Sequence, residues 1–161
     1  MKKEISAEAK LNEKKKEYLT QYLECVRAVR RIESQIEELR INIMCPSIHI
    51  SDMPRANAGQ GDLSDYIVKE HSLIDEMIKL RYKRIETYTD IFRRIEMIKK
   101  EDERTVLTLR YIKGLKWEEI AVDVHVEWAQ VHRIHAKALK NFHLPENMIH
   151  NDTQTCDMLV S

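Results

Sequence analysis

The sequence predicts an all-α protein: a long coiled-coil helical hairpin followed by a small three-helix unit. Three observations carry this. Only 3 of the 161 residues are Gly and 3 are Pro, too few for the tight turns of a β architecture. Charged residues make up 34% and aromatics 6%, the mixture of long solvated helices rather than of a large globular core. Apolar residues recur along most of the chain at steps of three and four, the period of a helix face.

In the front third, Leu11, Tyr18, Tyr22, Cys25, Val29, Ile32, Ile36, Leu39 and Ile43 follow such steps, with Lys15 the one polar gap. A helix over Leu11–Ile43 would be about 50 Å long. It holds only if its stripe has a partner. That stripe is expected to pair with a second helix of the same chain. Through Tyr22, Val29, Ile32, Ile36 and Leu39 it is also expected to join further copies, as a homodimer or higher homo-oligomer. Residues 45–62 contain Pro46, Pro54, Gly59 and Gly61 and read as a loop. The second helix is expected to start at Ser64 as N-cap, with Leu63 and Val68 forming a hydrophobic staple, and to run to about Lys100. Its stripe is Ile67, Ile74, Ile78, Ile85, Tyr88, Phe92 and Ile95, widened by Met77, Ile91 and Ile98 and interrupted at Glu70 and Arg81.

The acidic run Glu101-Asp102-Glu103 suits a new helix N-terminus. A third helix from Glu103 to about Lys113 then ends at Gly114. The next starts near Trp117 and places Trp117, Ile120, Ala121 and Val124 on one side. A tight turn follows at His125 and Val126, with His125 standing where the backbone needs φ > 0. The last helix opens near Glu127. Lys116 and Glu127 precede these two helices in place of the usual Ser, Thr or Asp caps, and each weak cap loses roughly 0.5–2 kcal/mol. The hairpin is therefore expected over 1–100, the three-helix unit over 101–142, and a mobile, non-periodic tail over 143–161.

In the last helix Val131, Ile134 and Ala138 share an inner face. Ala129, Arg133, Ala136 and Lys140 lie opposite, flanked by Gln130, His132 and Lys137. From Trp128 to Pro145 there are three basic residues, three histidines and no acid. Lys+Arg and Asp+Glu both total 27, so the attraction for an anionic partner is local to this segment. Small residues let a helix approach a groove, and Arg and Lys supply base-edge and phosphate contacts. The pattern is that of a helix-turn-helix whose second helix reads double-stranded DNA through those seven residues.

Leu109-Arg110-Tyr111-Ile112, Gly114-Leu115 and Trp117-Glu118-Glu119-Ile120-Ala121 resemble region 4 of sigma-70-type factors, and Val131, Arg133, Ala138 and Leu139 continue the likeness. With Ser51–Arg55 and Asp62–Ile67 added, the chain from about residue 15 to 140 is similar to small phage and prophage transcriptional regulators with a long helical front. The resemblance implies DNA binding and transcriptional control without enzymatic activity. Two other readings suit a helical front joined to such a motif. One is a phage assembly protein like a terminase small subunit; the other is an adaptor that binds RNA polymerase.

No nucleophile–base pattern, glycine-rich phosphate loop or HExxH motif is present, so no enzyme and no cofactor are expected. His132 and His135 have a spacing able to hold a metal, but no nearby Cys or carboxylate completes a set. Cys25, Cys45 and Cys156 are odd in number and far apart, which points to a reducing compartment. With neither a signal-peptide core nor a membrane-length apolar run, the expected location is the cytoplasm of a bacterial host.

Overall fold

The computed structural model describes residues 2–44 and 63–146, with side chains over 7–42 and 64–146. The expected loop at 45–62, the SDMPR segment, the Leu63 half of the staple and the tail beyond 146 lie outside the described residues. Among those described there are five α-helices and no strand. They are α1 (Lys2–Met44), α2 (Leu63–Glu96), α3 (Glu101–Leu107), α4 (Trp117–Asp123) and α5 (Trp128–Asn141), with a π-helical turn at Thr108–Ile112 continuing α3. No helix among them is long and apolar enough to cross a membrane. Helix α2 begins at Leu63, so Ser64 stands inside its first turn rather than before it, and α2 ends four residues ahead of Lys100.

The chain divides into two compact units, one of residues up to Leu23 together with those from Thr87 onward, the other Glu24–Glu86. This differs from the division at residue 100 that periodicity suggested. The reason is that Tyr18, Leu19 and Tyr22 of α1 and the last turns of α2 supply core to the C-terminal helices.

In the unit Glu24–Glu86, α1 buries Cys25, Val29, Ile32, Ile36 and Leu39. These alternate at steps of four and three, so they stay on one side of the helix. Arg40 pairs with Glu70 and Arg81 with Glu33, each at 2.7 Å. The reversed order of partners makes the two helices antiparallel. Both pairs are largely exposed and mark register more than they stabilise. The expected oligomerisation residues Val29, Ile32, Ile36 and Leu39 are thus buried inside one chain, and a second chain cannot reach them without opening the pair. In α2 the inward side keeps Ile74 and Met77 of the expected stripe but adds Leu73 and Leu80 to it, and it leaves other expected members outside. Leu73, Met77 and Leu80 are half-buried, whereas Ile67, Ile78 and Ile85 are exposed.

In the other unit, one core gathers Tyr18 and Leu19 of α1, Ile91 and Ile95 of α2, Leu107, Tyr111, Ala138, Leu139, Phe142 and Leu144, with Tyr22 half-buried against it. Leu11, expected in the same stripe, is exposed. Phe142 and Leu144 follow α5, so the chain past Asn141 is docked at least to Leu144, and the expected tail does not begin at 143. A second core joins Val106, Leu109, Ile120 and Val131 with Trp117, Ala121, Val124 and Ile134. The α3 segment lies between the two, offering Leu107 and Tyr111 to one and Val106 and Leu109 to the other.

Gly114 closes this segment with φ 74°. An added Cβ would sit 3.3 Å from the Leu23 side chain. Left-handed backbone costs an L-residue about 1–2 kcal/mol. Gly114→Ala is therefore expected to destabilise the protein by that amount, read as a lower urea midpoint with unchanged slope. An unchanged midpoint would show that the turn relaxes freely.

Candidate nucleic-acid interface

Helices α4 and α5 are set by local chemistry that caps neither of them in the common way. The Lys116 N–H donates to Glu119 Oε2 at 2.7 Å, so a glutamate three residues into α4 supplies half of a capping box. Val124 N–H closes the helix on Ile120 O at 2.9 Å, and Val126 N–H on Ala121 O at 3.1 Å. Between them His125 takes φ 56°, the left-handed residue the turn requires. Helix α5 then starts behind Glu127, which has extended backbone and no side-chain cap.

Helix α5 has two sides. Val131, His135, Ala138 and Leu139 are buried, and Ile134 is half-buried. Ala129, Gln130, Arg133, Ala136, Lys137 and Lys140 are all exposed. Among the described residues, no ion pair engages Arg133 or Lys137. Lys140 lies 3.2 Å from Glu8 of α1, with both side chains more than half exposed, so water and salt screen that pair.

His132 is the exception among the seven. Its ring is held between Trp117, at 4.7 Å, and Trp128, at 4.2 Å. Its Nε2 is buried and makes no hydrogen bond among the described residues. The side chain is built into the start of α5 rather than offered outward. Trp128 itself is 54% exposed at the first turn. The stack continues inward: Trp117 meets His135 edge-on at 4.8 Å, and the Arg110 guanidinium lies 4.5 Å over the Trp117 ring. His135 Nε2 is 3.0 Å from the Tyr111 hydroxyl. Burial pushes that hydroxyl up to about 12 and His135 down to about 4, so both are neutral near pH 7. His132 and His135 therefore do not act together as a metal-binding pair, since His135 is committed to Tyr111 in the core.

The C-terminal end of α5 is held by residues that periodicity does not single out. Lys15, the polar gap of α1, is 7% exposed. It donates to Leu139 O at 2.7 Å and to Lys140 O at 3.5 Å, placing an ammonium on the negative end of the helix dipole. Asn141 donates to the buried Glu103 of α3 at 2.6 Å. In the same unit, the Tyr18 hydroxyl bonds the Asp90 carboxylate and accepts from Arg94 Nε at 3.1 Å, tying α1 to α2 beside Lys15.

No family model matches this chain, and no curated protein or solved structure matches it either.

Proposed function

We propose that this chain is a sequence-specific DNA-binding transcriptional regulator of the phage type that its sequence resembles. In this reading α4, the His125 turn and α5 act as a sigma-region-4-like helix-turn-helix, and α1 with α2 forms a coiled-coil hairpin ahead of it. One observation carries the proposal. Helix α5 is docked by its apolar side and leaves outward an acid-free face of small and basic residues, Ala129, Arg133, Ala136, Lys137 and Lys140. A face of that composition fits a major groove, where alanines permit close approach and guanidinium and ammonium groups meet base edges and phosphates.

Within this reading Arg133, central on the face, contacts a base edge. Lys137 holds phosphate, and Lys140 does so by exchanging Glu8 for it. His132, fixed between two tryptophans, positions the start of α5 rather than reading a base.

Selection of bound duplexes from a random pool tests the proposal. Arg133→Ala is expected to cost about 1–3 kcal/mol on the selected sequence and to relax preference at one base position. Lys137→Ala should weaken every duplex alike and lower the salt slope by roughly one unit. If the folded wild type binds no duplex at low salt, DNA reading is excluded, and the same face becomes a candidate surface for RNA polymerase.

A further inference from the structure

We propose that Glu8 of α1 is a built-in competitor for the phosphate that Lys140 would hold, so that the first turns of α1 restrain anion binding at the C-terminal end of α5. This rests on the DNA-binding reading for the identity of the anion, while the competition itself requires only an anion at Lys140.

The outer face of α5 carries no acid of its own. Among the described residues Glu8 is the one carboxylate paired with it, its Oε1 3.2 Å from Lys140 Nζ. Both residues belong to the unit that joins the chain up to Leu23 with the chain from Thr87 onward. The packing of α1 delivers Glu8 to that place. Glu8 and Lys15 stand seven positions apart, which is two helical turns, so they share one side of α1. Leu19, one turn farther along the same side, is fully buried. Lys15 donates to Leu139 O at 2.7 Å. With α1 pinned at Leu19 and Lys15, its next turns toward the N-terminus run beside the end of α5. Helix α1 thus meets the last turn of α5 with two opposite charges, an ammonium on its carbonyls and a carboxylate on its ammonium.

The two contacts differ in how readily they exchange. Lys15 is buried, whereas the Lys140 and Glu8 side chains are 64% and 56% exposed. Their pair can open by side-chain rotation alone, with α1 in place. A pair so exposed is worth a factor of roughly two to five in an equilibrium constant. That is little for folding and appreciable for binding. An incoming phosphate must break the pair and then lies near the carboxylate that it displaced. Both effects weaken every polyanion alike, whatever its sequence, and both grow as ionic strength falls.

Elution of the full chain from a heparin column, together with duplex titrations across salt, tests the competition. Glu8→Gln keeps the size of the side chain and removes its charge. It is expected to elute at higher salt than the wild type and to bind any duplex roughly threefold tighter at low salt. The gain should shrink as salt rises, which steepens the salt slope. Glu13→Gln, which removes an acid paired with Lys16 instead, measures the gain from net charge alone. In a Lys140→Ala background the gain from Glu8→Gln should fall to that of Glu13→Gln. Amide exchange at residues 139–142 should be the same in Glu8→Gln and the wild type, since Lys15 still holds the helix end. A Glu8→Gln gain on heparin that is absent, or that survives Lys140→Ala undiminished, overturns the proposal. Faster exchange at 139–142 would make Glu8 a structural residue and overturn it too. A gain on heparin that depends on Lys140, with no duplex bound by any variant, upholds the competitor and overturns the DNA reading instead.

Discussion

Acidification from pH 7 to 4.5 is expected to remove up to about 3 kcal/mol of stability through one histidine. His135 is 7% exposed in the core side of α5. Burial holds its folded-state value at about 4 against the ordinary 6.5, with further lowering from the positive charges of Lys16, His132 and Arg110. Because the folded value is depressed, the unfolded chain binds the proton first as pH falls below 6.5, while the folded chain resists until about 4. Stability from the neutral ring is therefore complete above pH 6.5 and drains away between 6.5 and 4. Urea titrations at pH 7 and 4.5 read the loss. His135→Gln, which keeps a polar partner for the Tyr111 hydroxyl but does not titrate in this window, should lose markedly less over the same interval. An identical acid loss in the two proteins would assign it elsewhere. Since His135 lies one helical turn from Val131 and packs on Trp117, the same window should loosen α5 and weaken any ligand bound to its outer face.

The two sides of α5 were legible in the sequence because one short amphipathic helix admits only one way of burying Val131 and Ala138. The left-handed turn at His125 was expected from the helix-turn-helix likeness, in which one residue between the two helices needs φ > 0, and His125 takes φ 56° there. Helix α2 is the contrary case. It carries two apolar stripes, one through Ile67, Ile78 and Ile85 and another through Leu73, Met77 and Leu80, about a third of a turn apart. Periodicity shows that each is a helix face, but not which one α1 covers. Glu70 and Arg81 interrupt the expected seam, although each reaches a charge on α1, Glu70 to Arg40 and Arg81 to Glu33. The division of the chain was hidden for a different reason. It depends on contacts such as that between Lys15 and Leu139, 124 positions apart, and local spacing carries no information about them. Leu144 escaped notice because a single apolar residue beyond a helix has no period.

Lys15→Met is expected to destabilise the protein by about 1–3 kcal/mol while leaving the apolar stem of the side chain in place. In a stripe of apolar residues a lysine looks like a flaw, and methionine would look like its repair. The structure argues the opposite. The ammonium donates to Leu139 O and lies near Lys140 O, two of the four carbonyls that the end of an α-helix leaves without intrahelical donors. Removing it leaves a buried acceptor unpaired and withdraws a positive charge from the negative end of the dipole. The charge itself is disfavoured there, since burial lowers the Lys15 value despite the opposing pull of Glu8, so the hydrogen bonds must outweigh that desolvation for the arrangement to persist. Their loss should be felt first in the last turn of α5, where Lys137 and Lys140 stand on the exposed face. Amide exchange at residues 139–142 should therefore accelerate more than exchange at Val131, and under the DNA-binding proposal duplex affinity should fall even though Lys15 itself faces the core. If Lys15→Met matches or exceeds the wild-type melting temperature and leaves exchange in α5 unchanged, the lysine is not holding the helix end, and the polar gap in α1 has another origin.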